Sequence, residues 1–213
     1  MYARFFKRIL DIVLSGCAIL ALSPVLLVLT VLGAVKMKGN PFFTQLRPGR
    51  NEKIFRLVKF RTMTCETDEN GNLLPDDRRL TKYGKFLRST SLDELPELFN
   101  IFIGQMSIVG PRPLLIEYLP YYTAEEKHRH DVRPGLTGLA QINGRNFVDW
   151  DHRLAWDCRY VKEISFALDI EIIFRTAVQV LKRDDVAVCT DDIEGNLADI
   201  RKAAMEREGT TVC

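Results

Sequence analysis

The chain has 213 residues, 46% of them hydrophobic, and its 30 Lys and Arg nearly balance 28 Asp and Glu, for a formal charge of +2. That length supports one domain with a real core plus additions, not two full-sized domains. The apolar content excludes a disordered chain, and the charge balance excludes the basic footprint of a nucleic-acid binder. Cys17, Cys65, Cys158, Cys189 and Cys213 are odd in number, scattered and never spaced as CxxC. They argue against a disulfide framework and a zinc site, and for a reducing compartment.

Ile12–Val35 is a run of 24 residues without a charge, long enough at about 1.5 Å per residue to cross a hydrocarbon layer of roughly 30 Å. It is about twice as long as a signal-peptide core, and Gly33-Ala34-Val35-Lys36 is a poor cleavage site. Hydropathy alone predicts a spanning helix. Two features predict a re-entrant one instead. Arg4, Lys7 and Arg8 precede the segment and Lys36, Lys38, Arg47 and Arg50 follow it, so the positive-inside rule places both flanks on one face. Ser23-Pro24 lies at the centre, where proline removes an amide donor and lets the helix bend back. Kinked spanning helices also contain proline, so both topologies stand at this level.

Beyond Lys38 the pattern is that of a mixed domain. Phe42–Leu46 and Ile54–Arg61, joined by the turn Arg47–Asn51, predict a β-hairpin, with Lys59 and Arg61 on one side of its second strand. The plain alternative is a solvated edge whose cations deter aggregation. Cys65–Arg79 lacks periodicity and reads as a loop. Apolar spacing from Lys82 to Gly104 predicts two helices divided near Arg88–Ser91, and further helices are predicted over Leu114–His130 and Phe166–Arg183. Tyr118, Tyr121, Tyr122, Trp150 and Trp156 suit either a membrane interface or an ordinary core. His128, His130 and His152 show no metal-ligand spacing.

Ser91-Leu92-Asp93-Glu94-Leu95-Pro96 admits two readings. Ser91 and Glu94 match a capping box, although Pro96 moves the helix start later. Alternatively Asp93 is a nucleophile on phosphorus, which requires a hard divalent cation and converging Arg and Lys side chains to neutralise the approaching anions. Lys59, Arg61, Arg88 and Arg112 are the candidates, the last held between Pro111 and Pro113. In Val132–Arg145, glycines permit close backbone approach, and Arg133, Gln141, Asn143 and Arg145 offer donors to a nucleotide.

Taken together, Ser23-Pro24, Phe42–Gly49, Lys59–Met63, Ser91–Pro96, Val109–Pro113 and Arg133–Gly138 occur in the order of the bacterial sugar transferase family. From Met1 to Arg183 the chain resembles its small monotopic phosphoglycosyl transferases. The resemblance implies an α/β, helix-rich monotopic membrane domain with an N-terminal re-entrant helix hairpin, interfacial amphipathic helices and a small antiparallel sheet. It divides the chain into a membrane helix (1–38), a catalytic domain (39–183) and a tail (184–213) without a counterpart, an arm or a partner contact. It further implies transfer of a phosphosugar from a UDP-sugar to undecaprenyl phosphate with release of UMP, through an aspartyl intermediate in ping-pong fashion, as the first membrane step of glycoconjugate assembly. The location implied is the cytoplasmic face of the bacterial inner membrane, in contact with membrane lipids and supplying downstream glycosyltransferases. Asp93 would attack the β-phosphate; Glu94 would assist metal binding or deprotonation, with Mg²⁺ held by Asp93 and Glu94. Lys59, Arg61, Arg88 and Arg112 would bind phosphate, and Gln141 and Arg145 the nucleotide. The competing expectations are a membrane-anchored interaction protein whose Asp93 and Glu94 only cap a helix, and a glycosyl transferase that releases UDP.

Overall fold

The computed structural model of the protein describes residues 2–144, 149–182 and 195–210. After a π-helical turn at Tyr2–Phe6, α1 (Lys7–Lys36) runs as one continuous helix with Pro24 inside it. The helix is thus continuous through Ser23-Pro24, with no loop there to divide the two arms of the expected hairpin. Proline cannot donate to the Leu20 carbonyl, and the Ser23 hydroxyl does so instead at 2.8 Å. With a mean hydropathy of 2.6 over an 18-residue window, α1 is long and apolar enough to cross a membrane. Both of its halves nevertheless pack on the same body. Arg8 donates to the Ile101 and Phe102 carbonyls, Asp11 accepts from Ser107 and the Ile108 amide, and Ala18, Ile19 and Leu22 meet Leu98 and Ile101. Farther along, Leu26 and Leu29 pack with Phe60 and Leu87, and the Tyr83 hydroxyl donates to the Leu29 carbonyl.

β1 (Phe42–Pro48) and β2 (Ile54–Phe60) form the expected antiparallel hairpin, with Phe42 opposite Phe60 and Pro48 opposite Ile54. Period two places Phe55, Leu57 and Lys59 on one face of β2; the first two are core residues, so Lys59 is the polar end of an inward row. Phe60 is buried on the other face, which rules out a solvated edge strand. The edge of β2 is covered by α4 (Glu97–Phe102): the Asn100 amide accepts from Val58 N and donates to the Arg56 carbonyl. Each such group left unpaired would cost about 1–3 kcal/mol, so one side chain fixes the spacing of α4 from β2.

Cys65–Arg79 is largely irregular, ending in the short α2 (Asp76–Arg79), and α3 (Lys82–Ser89) is capped by Thr81, whose hydroxyl accepts from Gly84 N. The capping box at Ser91 does not form. Ser91 is left-handed with φ 55° and makes no side-chain cap, Leu92–Glu94 is a single 3₁₀ turn, and α4 starts at Glu97. Leu114–His130 is likewise not one helix but two 3₁₀ segments, Ile116–Tyr121 and Glu126–His130. Pro113 lies just before the first and Pro120 within it, where a continuous α-helix would need an amide donor.

A second sheet was not legible in the sequence: β3 (Ser107–Val109) pairs in parallel with β4 (Gly135–Thr137). It accounts for the motif glycines. A Cβ on Gly135 would stand 2.1 Å from Gly110 N, and one on Gly138 would stand 2.2 Å from the Gly110 carbonyl oxygen. These glycines admit one backbone to another.

α5 (Leu139–Ile142), α6 (Trp150–Glu163), α7 (Phe166–Lys182) and α8 (Leu197–Thr210) complete the domain. Tyr118, Tyr122 and Trp150 are core, packed with Leu114, Leu154 and Leu197, so burial in protein explains these aromatics. The described part of the tail is docked: Leu197 is fully buried, Trp150 Nε1 donates to the Gly195 carbonyl, and Arg201 pairs with Glu126 and Asp151. Phe166, Ile170, Phe174 and Leu181 of α7 remain exposed, as do Phe99 and Phe102 of α4, Ile103 just past its end and most of α1. Phe102 lies against Gly16 and Tyr2 meets Phe166 edge-on, so α1 adjoins both helices. An apolar surface of this extent associates with membrane. The architecture is a helix-rich monotopic membrane domain with a small antiparallel sheet.

Candidate active site

Leu92 and Leu95 are three residues apart and pack down beside Leu29, Phe60 and Leu87. One 3₁₀ turn has three residues, so anchoring this pair turns Asp93 and Glu94 outward together. Both line a cavity of about 1080 Å³ enclosed by the hairpin, α3, the Val109–Pro113 segment, α5, α6 and α7. Lys59 Nζ lies 2.7 Å from Glu94 Oε1 and 3.1 Å from Glu97 Oε1, and Arg112 Nη2 lies 2.7 Å from the same Glu94 oxygen. Two cations thus share one oxygen of Glu94. Among the described residues Asp93 accepts no hydrogen bond, so there its carboxylate is uncommitted.

This asymmetry separates the two acids electrostatically. Burial pushes Asp93 up, the Glu94 charge adds to the rise, and Lys59, Arg112 and Arg88 oppose it, leaving its pKa at about 6. Burial would raise Glu94 too, but Arg112 and Lys59 outweigh it and hold that carboxyl far below the usual range. Glu97 is raised to about 7 by burial and by Glu94, against the pull of Lys59. Burial disfavours the Lys59 ammonium, yet Glu94 and Glu97 keep it raised. Arg112 is raised, first by Glu94.

Of the expected site residues, Lys59, Arg61, Arg88, Asp93, Glu94, Arg112 and Gln141 all line this one cavity. Arg88 donates from Nε to the Thr62 hydroxyl, and Arg61 lies against the Phe42 carbonyl and Cys65. Gln141 is held by its amide nitrogen on the Leu136 carbonyl. Arg145 lies outside the described residues. Seven Lys and Arg side chains and three carboxylates line the described cavity, an excess of positive charge suited to a polyanion.

Three contributors escaped sequence reasoning. Glu97 makes a third carboxylate within five residues, and that density was the available signal. Arg47, pushed down to about 10 by burial and by Arg112, lies between the main cavity and a small chamber behind Lys59. Asp157 of α6 enters the cavity wall from far along the chain.

The described residues contain no group of three or more His, Cys, Asp or Glu arranged to hold a metal ion. The donor set does fit a hard divalent ion of the kind bound by one or two carboxylates and completed by diphosphate oxygens and water. Asp93 and the second oxygen of Glu94 are uncommitted among the described residues.

The profile described as bacterial sugar transferase matches residues 2–183. The sugar transferase EpsL of Bacillus subtilis is 47% identical over 182 residues, covering 84% of this chain and 89% of EpsL. A UDP-glucose:undecaprenyl-phosphate glucose-1-phosphate transferase of Klebsiella pneumoniae is 42% identical over 80% of this chain and 39% of its own length. An undecaprenyl-phosphate galactose phosphotransferase of Salmonella typhimurium is 40% identical over 85% of this chain and 42% of its own length. The chain thus spans most of one relative and about two fifths of the larger two. It belongs to the bacterial sugar transferase family and is a phosphoglycosyl transferase.

Proposed function

We propose that the chain transfers a sugar 1-phosphate from a UDP-sugar to undecaprenyl phosphate and releases UMP. The observation that carries this reading is the Asp93 carboxylate, uncommitted among the described residues, beside a Glu94 already neutralised by Lys59 and Arg112. An Asp93 oxygen attacks the sugar-bearing β-phosphorus, the bond from that phosphorus to the bridging oxygen breaks, and UMP leaves with the bond's electron pair. An oxygen of the acceptor phosphate then attacks the same phosphorus and Asp93 departs unchanged, which gives ping-pong kinetics. Lys59, Arg61, Arg88 and Arg112 bind the diphosphate and offset its charge as the two anions meet. Asp93 and Glu94 would hold Mg²⁺, which would supply further neutralisation of the diphosphate. Glu94 remains ionised and serves as the anchor for two cations, and Gln141 faces the nucleotide.

Purified protein given UDP-sugars, Mg²⁺ and undecaprenyl phosphate should form UMP; UDP as the product would replace this reading with transfer of the sugar alone. The rate of UMP release should fall on the acid side with a midpoint near the Asp93 value of about 6, because only the ionised carboxylate attacks. A rate flat from neutrality down to the carboxylate range would remove Asp93 from the attack.

The acceptor is lipid-bound and the donor water-soluble, so the site belongs at the cytoplasmic face of the inner membrane, where the product is available to downstream glycosyltransferases. For α1 we favour the re-entrant topology, supported by cations on both flanks and by the packing of both its halves on one body. Impermeant thiol reagents should reach cysteines placed at Tyr2 and Gly39 from the same side of the membrane. Opposite-side labelling would establish a spanning helix.

A further inference from the structure

At the wall of the site lies a buried ion pair to which the transfer chemistry above assigns no role. Arg129 donates from Nε and Nη2 to Asp157 Oδ2 at 3.1 and 2.7 Å, and the two side chains keep only 1% and 3% of their surface exposed. The same Nη2 donates to the Arg112 carbonyl at 2.7 Å, and the Arg129 guanidinium lies 5.5 Å from the centre of the Tyr122 ring. Replacing a buried ion pair by apolar residues of similar volume is often neutral or stabilising, so stability alone does not explain this one. The backbone it grips does. Pro111 and Pro113 fix the chain on either side of Arg112 but contribute no amide donors. The segment is pinned through its carbonyls instead: Gly135 N donates to the Pro111 carbonyl at 2.9 Å, and Arg129 holds that of Arg112.

We propose that Arg129 and Asp157 are positioning residues: Asp157, from α6, orients Arg129, whose fork sets the Arg112 backbone so that its guanidinium meets Glu94 and the donor's diphosphate. The inference rests on the phosphoglycosyl-transfer reading. Lys in place of Arg129 keeps the charge but loses the planar fork that spans both acceptors.

The test compares three proteins by UMP release and melting: Arg129→Met with Asp157→Leu, Arg112→Met, and all three changes together. The paired apolar replacement should melt at or above the wild-type temperature, yet lose at least tenfold in kcat/KM. Arg112→Met should lose at least as much. Because both act through one guanidinium, the triple variant should be no slower than Arg112→Met by more than about twofold. Losses that multiply, or a folded paired variant with wild-type kinetics, would overturn the proposal. Should the paired variant not fold, Arg129→Lys carries the same test: a several-fold loss with an unchanged melting temperature supports positioning, and wild-type kinetics refutes it. A wild-type protein that forms no UMP from any UDP-sugar would instead sink the transfer reading itself.

Discussion

Asp93→Asn is expected to abolish UMP release, by a factor on the order of 10⁴ or more, as for the loss of other enzymatic nucleophiles, and to leave no phosphosugar adduct on the protein. The substitution keeps size and shape but replaces the anionic oxygen nucleophile with a neutral amide. Its effect on folding should be small and of opposite sign. Burial and the adjacent Glu94 charge both destabilise the ionised Asp93 and raise its pKa to about 6, so a neutral amide relieves that strain at neutral pH. The competing view, in which Asp93 and Glu94 serve only to cap a helix, predicts a loss of about 1 kcal/mol of stability and no catalytic change. Ser91 makes no cap and α4 begins beyond Pro96, so that view has lost its structural basis. Intact-mass measurement after incubation with UDP-sugar alone checks the prediction. An adduct on the Asn variant, or none on the wild type while UMP forms steadily only when acceptor is added, would exclude the covalent step.

Much of this site is legible in the sequence because its parts are local. The Asp93-Glu94 pair, Lys59 at the end of an alternating strand, and Arg112 between two prolines each carry their own signature, and one cavity collects them. The hairpin and α7 follow from period two and period 3.6. What the sequence hides is long-range. The parallel pairing of Ser107–Val109 with Gly135–Thr137 joins strands of three residues, too short for a periodic signal. The grip of Arg129 on Asp157 spans 28 positions. The apolar spacing of Leu114–His130 reads as a helix because burial sets that spacing, while Pro120 breaks the backbone into 3₁₀ turns. The close backbone approach expected of the glycines in Val132–Arg145 is that of Gly110 after β3, since periodicity and composition cannot say which backbone approaches a glycine.

Glu94→Gln separates anchoring from proton transfer. In the wild type one oxygen of Glu94 takes both Lys59 and Arg112 at 2.7 Å, and a carboxylate so strongly held in its ionised form is a poor proton acceptor. The amide still offers an oxygen but not the charge. Arg112 then loses its partner while Lys59 keeps Glu97; because the Arg112 side chain is 42% exposed and screened by solvent, the stability cost should stay well below about 3 kcal/mol, where the range for breaking a buried pair begins. With Lys59 and Arg112 no longer fixed, kcat/KM for UMP release should drop on the order of 10². The diagnostic is the pH profile. Glu94 raises Asp93 through its charge, so removing that charge should move the acid limb below about 6, leaving the nucleophile ionised over a wider range while the reaction is slower. If Glu94 were instead the base that deprotonates the acceptor phosphate, the substitution would eliminate a limb from the second half-reaction and spare UMP release in the first. Rapid-quench measurement of the two half-reactions decides between them, and a slowed first step with a shifted limb is the outcome that the shared oxygen of Glu94 requires.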